Sequence, residues 1–215
     1  MLKLTKSDVV MIYVISDFYE LFPILGISVP NFCHRFNVPS NDSSSFKLLK
    51  ISIKHLLKRK IIFCKNENKI LNFLTNDDFK LPSTFVGLTK YGGKIWESIF
   101  NVNWNNCWMN KSFDLHYENN SVILINIYFN IDHLNHFKKF VIDTNYSELI
   151  TLSEDEKNIF PLWDNQKSKE AYLCGAKIDR LDQHREFYKA MPKLNWKKNI
   201  NDVLNEWGQI NEFKV

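Results

Sequence analysis

The sequence predicts an α+β protein in two parts, and three observations carry that reading. Apolar residues recur at helical spacing through most of the first half. Two short β-type runs interrupt that spacing between residues 61 and 74. The second half alternates β-prone runs with single helical stretches, the pattern of a small α+β domain with an antiparallel sheet. A chain of 215 residues accommodates two such parts, and the expected domains are 1–108 and 109–215.

Thr5-Lys6-Ser7-Asp8 supplies N-cap candidates for a first helix, with Met11, Ile15, Phe18 and Phe22 at helical spacing behind them. Pro23 and Gly26 are expected to close it. Pro30 to Pro39 reads as a short helix or turn, and 41–45 as a loop ending in a cap. From Phe46 the spacing is helical again: Phe46, Leu49, Ile53 and Leu56/Leu57 share one face, and Lys47, Lys50, Lys54 and Lys58 the opposite one. After Arg59-Lys60 the period changes. Ile61–Cys64 and Ile70–Leu74 read as the strands of a hairpin, with Lys65–Lys69 as its Asn-rich turn, because Asn tolerates left-handed backbone angles. Leu88–Glu97 then leads into a helix ending near Asn101.

In the second half, Phe113–Tyr117 and Ser121–Phe129 read as a hairpin turning at Glu118-Asn119-Asn120. Ile131–Val141 reads as a helix, Glu148–Leu152 and Ala171–Ile178 as strands, and Asn199–Trp207 as a closing helix. The seam at Trp104–Lys111 has no Gly/Pro/Ser-rich linker, so the two halves are expected to pack together.

Composition narrows the function classes. Apolar residues at 45 % and charged residues at 24 % are ordinary for a globular protein. The aromatic share of 14 % favours tight cores or partner surfaces. Net charge is +4, divided as +6 over residues 1–108 and −2 over the remainder, so the first half permits nucleic-acid contact without demanding it. Cys33, Cys64, Cys107 and Cys174 lie far apart with no CxxC or Cys/His spacing, as buried thiols in a reducing compartment would. The apolar stretch near the N-terminus is broken by Ser16, Asp17 and Glu20 and ends without a small-residue cleavage site. Neither a signal peptide nor a membrane span is therefore expected, and the cytoplasm is the expected location.

Several clusters are candidates for chemistry. His133 and His136, with Asp132 beside them, have metal-ligand spacing on a helix, but further ligands would have to come from His116 or Asp143; an ordinary polar helix face is the stronger reading. Ser153-Glu154-Asp155-Glu156 reads as a capped helix start, since carboxylates favour a first helical turn, or as an acidic patch for a basic partner. Asp77 and Asp78 have the same two readings, as a loop or as part of that patch. His184-Arg185-Glu186, with Asp179 and Asp182 nearby, belongs to no GxSxG, HExxH, P-loop or dinucleotide pattern. No catalytic residue, metal or cofactor is expected. The lysines at 47, 50, 54 and 58 suit phosphate contacts, extended by Arg59, Lys60, Lys65 and Lys69. Few Arg, Asn or Gln side chains accompany them to read base edges, and a solvated lysine face gives the same pattern.

Two resemblances follow from these residues. The order helix, short helix, helix, hairpin, helix resembles a winged-helix domain, as do the segments LLKRKII (Leu56–Ile62) and LTKYGGKIWE (Leu88–Glu97). The longer segment LTKYGGKIWESIFNVNW, from Leu88 to Trp104, is similar to the LTxxGGxxWE…W pattern of bacterial proteins found with polymorphic toxins. The matching positions are Leu88, Thr89, Gly92, Gly93, Trp96, Glu97 and Trp104. On physical grounds, Gly92-Gly93 would permit a close helix approach or a positive backbone angle, and Trp96 and Trp104 would lock the helix against the second half. The resemblance implies an immunity protein of a contact-dependent growth inhibition or similar system. Such a protein binds one cognate toxin domain in the cytoplasm, with no enzymatic activity of its own; Asp77, Asp78, Glu154, Asp155 and Glu156 are the candidate contacts. The other reading is a winged-helix DNA-binding regulator acting through Lys47, Lys50, Lys54 and Lys58.

Overall fold

A computed structural model describes residues 3–16, 22–23, 43–76, 84–110, 122–143, 147–150, 157–162, 167–178 and 195–207. It is α+β, with two antiparallel sheets. The chain forms two compact units, one of Met1–Val102, Pro161–Lys167 and Lys198–Val215, the other of Asn103–Phe160 and Ser168–Lys197. Among the described residues, no helix is long and apolar enough to cross a membrane.

The first unit is organised around α1 (Lys6–Ser16). Thr5 starts it with a reciprocal cap. The Asp8 amide donates to Thr5 Oγ1 at 3.2 Å, and the Thr5 amide donates to Asp8 Oδ2 at 2.8 Å. Val9, Val10, Met11, Ile12 and Ile15 are all buried, so the helix is apolar almost all round, as a helix surrounded by others must be. It touches α2 (Ser43–Lys58), β3 (Phe85–Leu88), α4 (Lys90–Ile99) and α6 (Ile200–Glu206). The helical face expected to run on to Phe22 is corrected there: Phe22–Pro23 form the edge strand β1. A residue before proline is driven towards extended backbone, and proline is tolerated on a strand edge.

α2 presents Leu49, Ile53 and Leu56 to the core. Its end is held by the pair of bonds that define a Schellman turn, from the Lys60 amide to the Leu57 carbonyl at 2.9 Å and from the Ile61 amide to the Leu56 carbonyl at 3.0 Å. Lys60 takes the left-handed position, with φ 56°. The chain then enters β2 (Ile62–Cys64), which pairs with β3 in the register Ile62↔Leu88, Phe63↔Gly87 and Cys64↔Val86. β1 pairs with the other side of β3, so the sheet order is β1-β3-β2.

The expected hairpin between 61 and 74 is not what forms. Residues Glu67–Thr75 are the helix α3, and β2 finds its partner in β3 instead. Asn66 is the reason: its side chain caps the helix, accepting from the Lys69 amide at 3.1 Å, where a left-handed turn residue was expected. Ile70 and Phe73, three apart, are buried, while Leu71 and Asn72 between them are exposed. That is helical periodicity in a run rich in β-forming residues.

In the second unit, β5 (Val122–Tyr128) lies between β4 (Trp108–Asn110) and the long β8 (Lys167–Ile178), with β6 (Ser147–Ile150) beyond β8. β7 (Lys157–Leu162) also pairs with β8. α5 (Ile131–Asp143) covers one face, burying Leu134, Phe137 and Val141 against Tyr128, Cys174 and Ala176. Residues 113–117, the expected first arm of the hairpin, lie outside the described residues, as do 30–39; β5 draws its described partners from β4 and β8. The expected helix 131–141, the strand over 171–178 and the closing helix are present. The closing helix α6 is capped by Asn199, which accepts from the Asn201 amide at 2.9 Å, and it belongs to the first unit.

Candidate interaction surface

α2 carries the largest set of charged candidates that the structure describes. It holds four lysines and one histidine and no acidic residue. Among its positions of described burial, those exposed are 44, 47, 51, 54 and 58, steps of three and four that trace one line along the helix opposite the core face. Lys47, Lys54 and Lys58 lie on that line. Lys50 does not. Its ammonium donates to the backbone carbonyl of Asn76 and sits 4.8 Å above the Phe73 ring. Lys50 is therefore engaged with the end of α3, where helix carbonyls attract a cation. Phe46, one turn before it, meets the same ring at 6.4 Å.

The place on the line that Lys50 leaves belongs to Ile51, which is 59 % exposed. Sequence reasoning missed Ile51, although the signal was available: it falls two residues from both Leu49 and Ile53 and so points away from them. α3, which touches α2, exposes Leu71 at 54 %. Among the described residues no acidic side chain lies within ion-pair reach of Lys47, Lys54 or Lys58.

The residues of the LTxxGGxxWE segment are structural. Leu88 is buried at the end of β3. Thr89 caps α4, its Oγ1 accepting from the Gly92 amide at 3.0 Å and donating to the Lys60 carbonyl at 2.6 Å. Its own amide donates to the Ile61 carbonyl at 3.0 Å. One threonine thus ties the start of α4 to the turn that ends α2. Gly92 is the close approach: a Cβ there would lie 1.9 Å from the Ile61 carbonyl oxygen. Its backbone angle is not positive, so of the two expected reasons for the glycines the close approach holds at position 92. Gly93 is buried, and its amide donates to the Thr89 carbonyl at 2.8 Å. Trp96 is fully buried with Phe100 at 6.2 Å, and Glu97 is half-buried on the same helix. Trp104, in the second unit, meets the tilted rings of Phe129 at 5.1 Å and Trp196 at 6.1 Å.

A half-buried pair that no local motif signals joins α1 to α2 across 47 positions. His55 Nδ1 lies 2.7 Å from Asp8 Oδ2, and Asp8 is 1 % exposed. Ser52 stands one turn before His55, but it is wholly buried, and among the described residues its hydroxyl has no hydrogen-bond partner. His133 and His136 share α5 as expected, with His136 exposed. Burial pushes the His133 imidazole below its ordinary value of 6.5; Asp132 opposes that shift and His136 adds to it. Among the described residues no three His, Cys, Asp or Glu side chains are grouped to hold a metal ion. Among the described residues, Cys64, Cys107 and Cys174 form no disulfide with one another. The acidic candidates Asp77, Asp78, Glu154, Asp155 and Glu156 lie outside the described residues, as do His116 and the cluster Asp179, Asp182, His184, Arg185 and Glu186.

Compared with protein-family models, with curated proteins and with solved structures, the chain has no match.

Proposed function

We propose that this chain is an immunity protein, which neutralises a cognate secreted toxin domain in the cytoplasm by binding it in a one-to-one complex. The observation that carries the reading is the use made of the LTxxGGxxWE residues. Leu88, Thr89, Gly92 and Trp96 are a cap, a close contact and core side chains, with nothing left over for chemistry. A pattern shared for its scaffold alone suits proteins that keep one frame and match their individual partners through the surface. The exposed α2 line adds support, because Ile51 lies exposed at its middle with lysines on either side, an apolar point within a polar rim. Asp77, Asp78, Glu154, Asp155 and Glu156 stand in this proposal as further partner contacts.

A winged-helix regulator is the second reading. The order β1-β3-β2, with α2 leading directly into the strand β2, favours a winged helix in the first unit. α3 would then occupy the stretch where the wing hairpin runs. Lys50, one of the four candidate phosphate contacts, is held by α3, which weighs against DNA recognition.

The test is to recover the chain's partners from the lysate of its own organism, then to express any partner alone and together with this chain. The immunity reading predicts the C-terminal fragment of a large secreted protein in equal amount, lethal alone and harmless in combination. DNA fragments with a common sequence and no protein partner would overturn it in favour of the regulator.

A further inference from the structure

We infer that the outer line of α2, formed by Lys47, Ile51, Lys54 and Lys58, docks an acidic protein face that presents an apolar side chain to Ile51. The inference deepens the immunity reading and rests on it for the identity of the partner. Its basis is the disposition of charge and apolar surface on one helix. The three lysines point outward with no acidic neighbour in reach among the described residues, and the helix itself has no Asp or Glu. Ion pairs along the helix would serve stability better than a run of lysines, and the exposed apolar surface lies at the middle of that run. Ile51 sits in that middle at 59 % exposure. An apolar centre with a charged rim is how protein interfaces are built, and a rim of one sign selects a partner of the other.

A phosphate backbone fits the same lysines less well. It has nothing apolar to cover Ile51, and the line lacks the Arg, Asn or Gln side chains that read base edges. Lys50, which would widen a phosphate track, is turned aside onto Asn76 and Phe73. What remains is narrow, cationic and apolar at its centre, which fits an acidic amphipathic helix or strand edge.

The experiment uses the full chain and three fluorescent probes: an acidic peptide of glutamates with a leucine stripe, a polyglutamate peptide of equal charge, and a short duplex DNA. The leucine-striped peptide is expected to bind most tightly. Ile51→Asp and Lys54→Glu should each weaken it about tenfold, whereas Lys90→Glu, the same charge change at an exposed position of α4, should change it less than about twofold. Ile51→Ser is the milder second variant, and unchanged thermal unfolding shows that each protein is folded. The inference is overturned if the leucine-striped peptide does not bind, or if it binds no better than polyglutamate and Ile51→Asp is silent. Tighter binding of the duplex, lost in Lys54→Glu, would make the line a nucleic-acid surface instead. A wild-type dimer that Lys54→Glu converts to monomer would assign it to self-association, which also overturns the inference. Failure to recover a toxin with peptide binding and its losses intact refutes the immunity reading alone. A recovered toxin whose affinity ignores Ile51 and Lys54 refutes the docking line alone.

Discussion

A methyl group at position 92 would meet the Ile61 carbonyl oxygen at 1.9 Å, a contact with backbone that no side-chain rotation relieves. Replacing a helical glycine by alanine ordinarily gains about 1 kcal/mol. Here the sign reverses: Gly92→Ala should lose about 3 kcal/mol in a urea titration, because α4 must move away from the turn after α2. Lys60 shows the opposite case a few residues earlier. It occupies the left-handed position of a Schellman turn, where a side chain costs about 1 kcal/mol or slightly more and glycine costs little. Lys60→Gly should therefore stabilise the protein by about 1 kcal/mol, read as a higher urea midpoint with an unchanged slope. The sequence announced the first position, since paired glycines at a helix start call for a close approach or a positive angle. It was silent about the second, because lysine is an ordinary surface residue and only the two carbonyl bonds at the end of α2 reveal its role.

At the scale of elements, what was legible depended on whether periodicity was unambiguous. α2, α4, α5 and α6 could be read because their apolar spacing and their caps or terminators agreed. α3 could not, because a short run of Ile, Leu, Asn, Phe and Leu satisfies a strand template, and Asn serves equally as turn residue and N-cap. The pairing of β2 with β3 is hidden for the same reason: it skips over a helix whose sequence suits a partner strand. The candidate face on α2 was legible as a set of lysines, but its division was not, since what withdraws Lys50 is α3. α5 carries a prediction of its own. Burial lowers the His133 pKa in the folded chain, so the unfolded chain takes up that proton first as pH falls. The stability contribution is complete above the unfolded value near 6.5, and it is lost as pH drops towards the folded value. Comparing urea stability at about pH 8 and about pH 5, His133→Gln should lose less than the wild type does. An equal loss would mean that His133 ionises alike in both states.

Taken as a whole, the chain is basic by +4, and the excess of positive charge belongs to residues 1–108. Within that part the structure sorts the cations by role. Lys50 holds α3, Arg59 donates to the Lys3 carbonyl, and Lys47, Lys54 and Lys58 are left on the outer line of α2 around Ile51. The residues that most resemble a known pattern are buried or capping, and the residues most suited to recognition are in no pattern. Under the proposed function, the fixed frame lies beneath and the individual surface above. The most direct test is growth protection: the recovered toxin domain is expressed with the wild-type chain, with Ile51→Asp, and with Lys54→Glu. Full protection by the wild type and its loss in both variants, each folded, is the predicted result. Equal protection by all three, or no toxin domain that the wild type neutralises, would contradict the account.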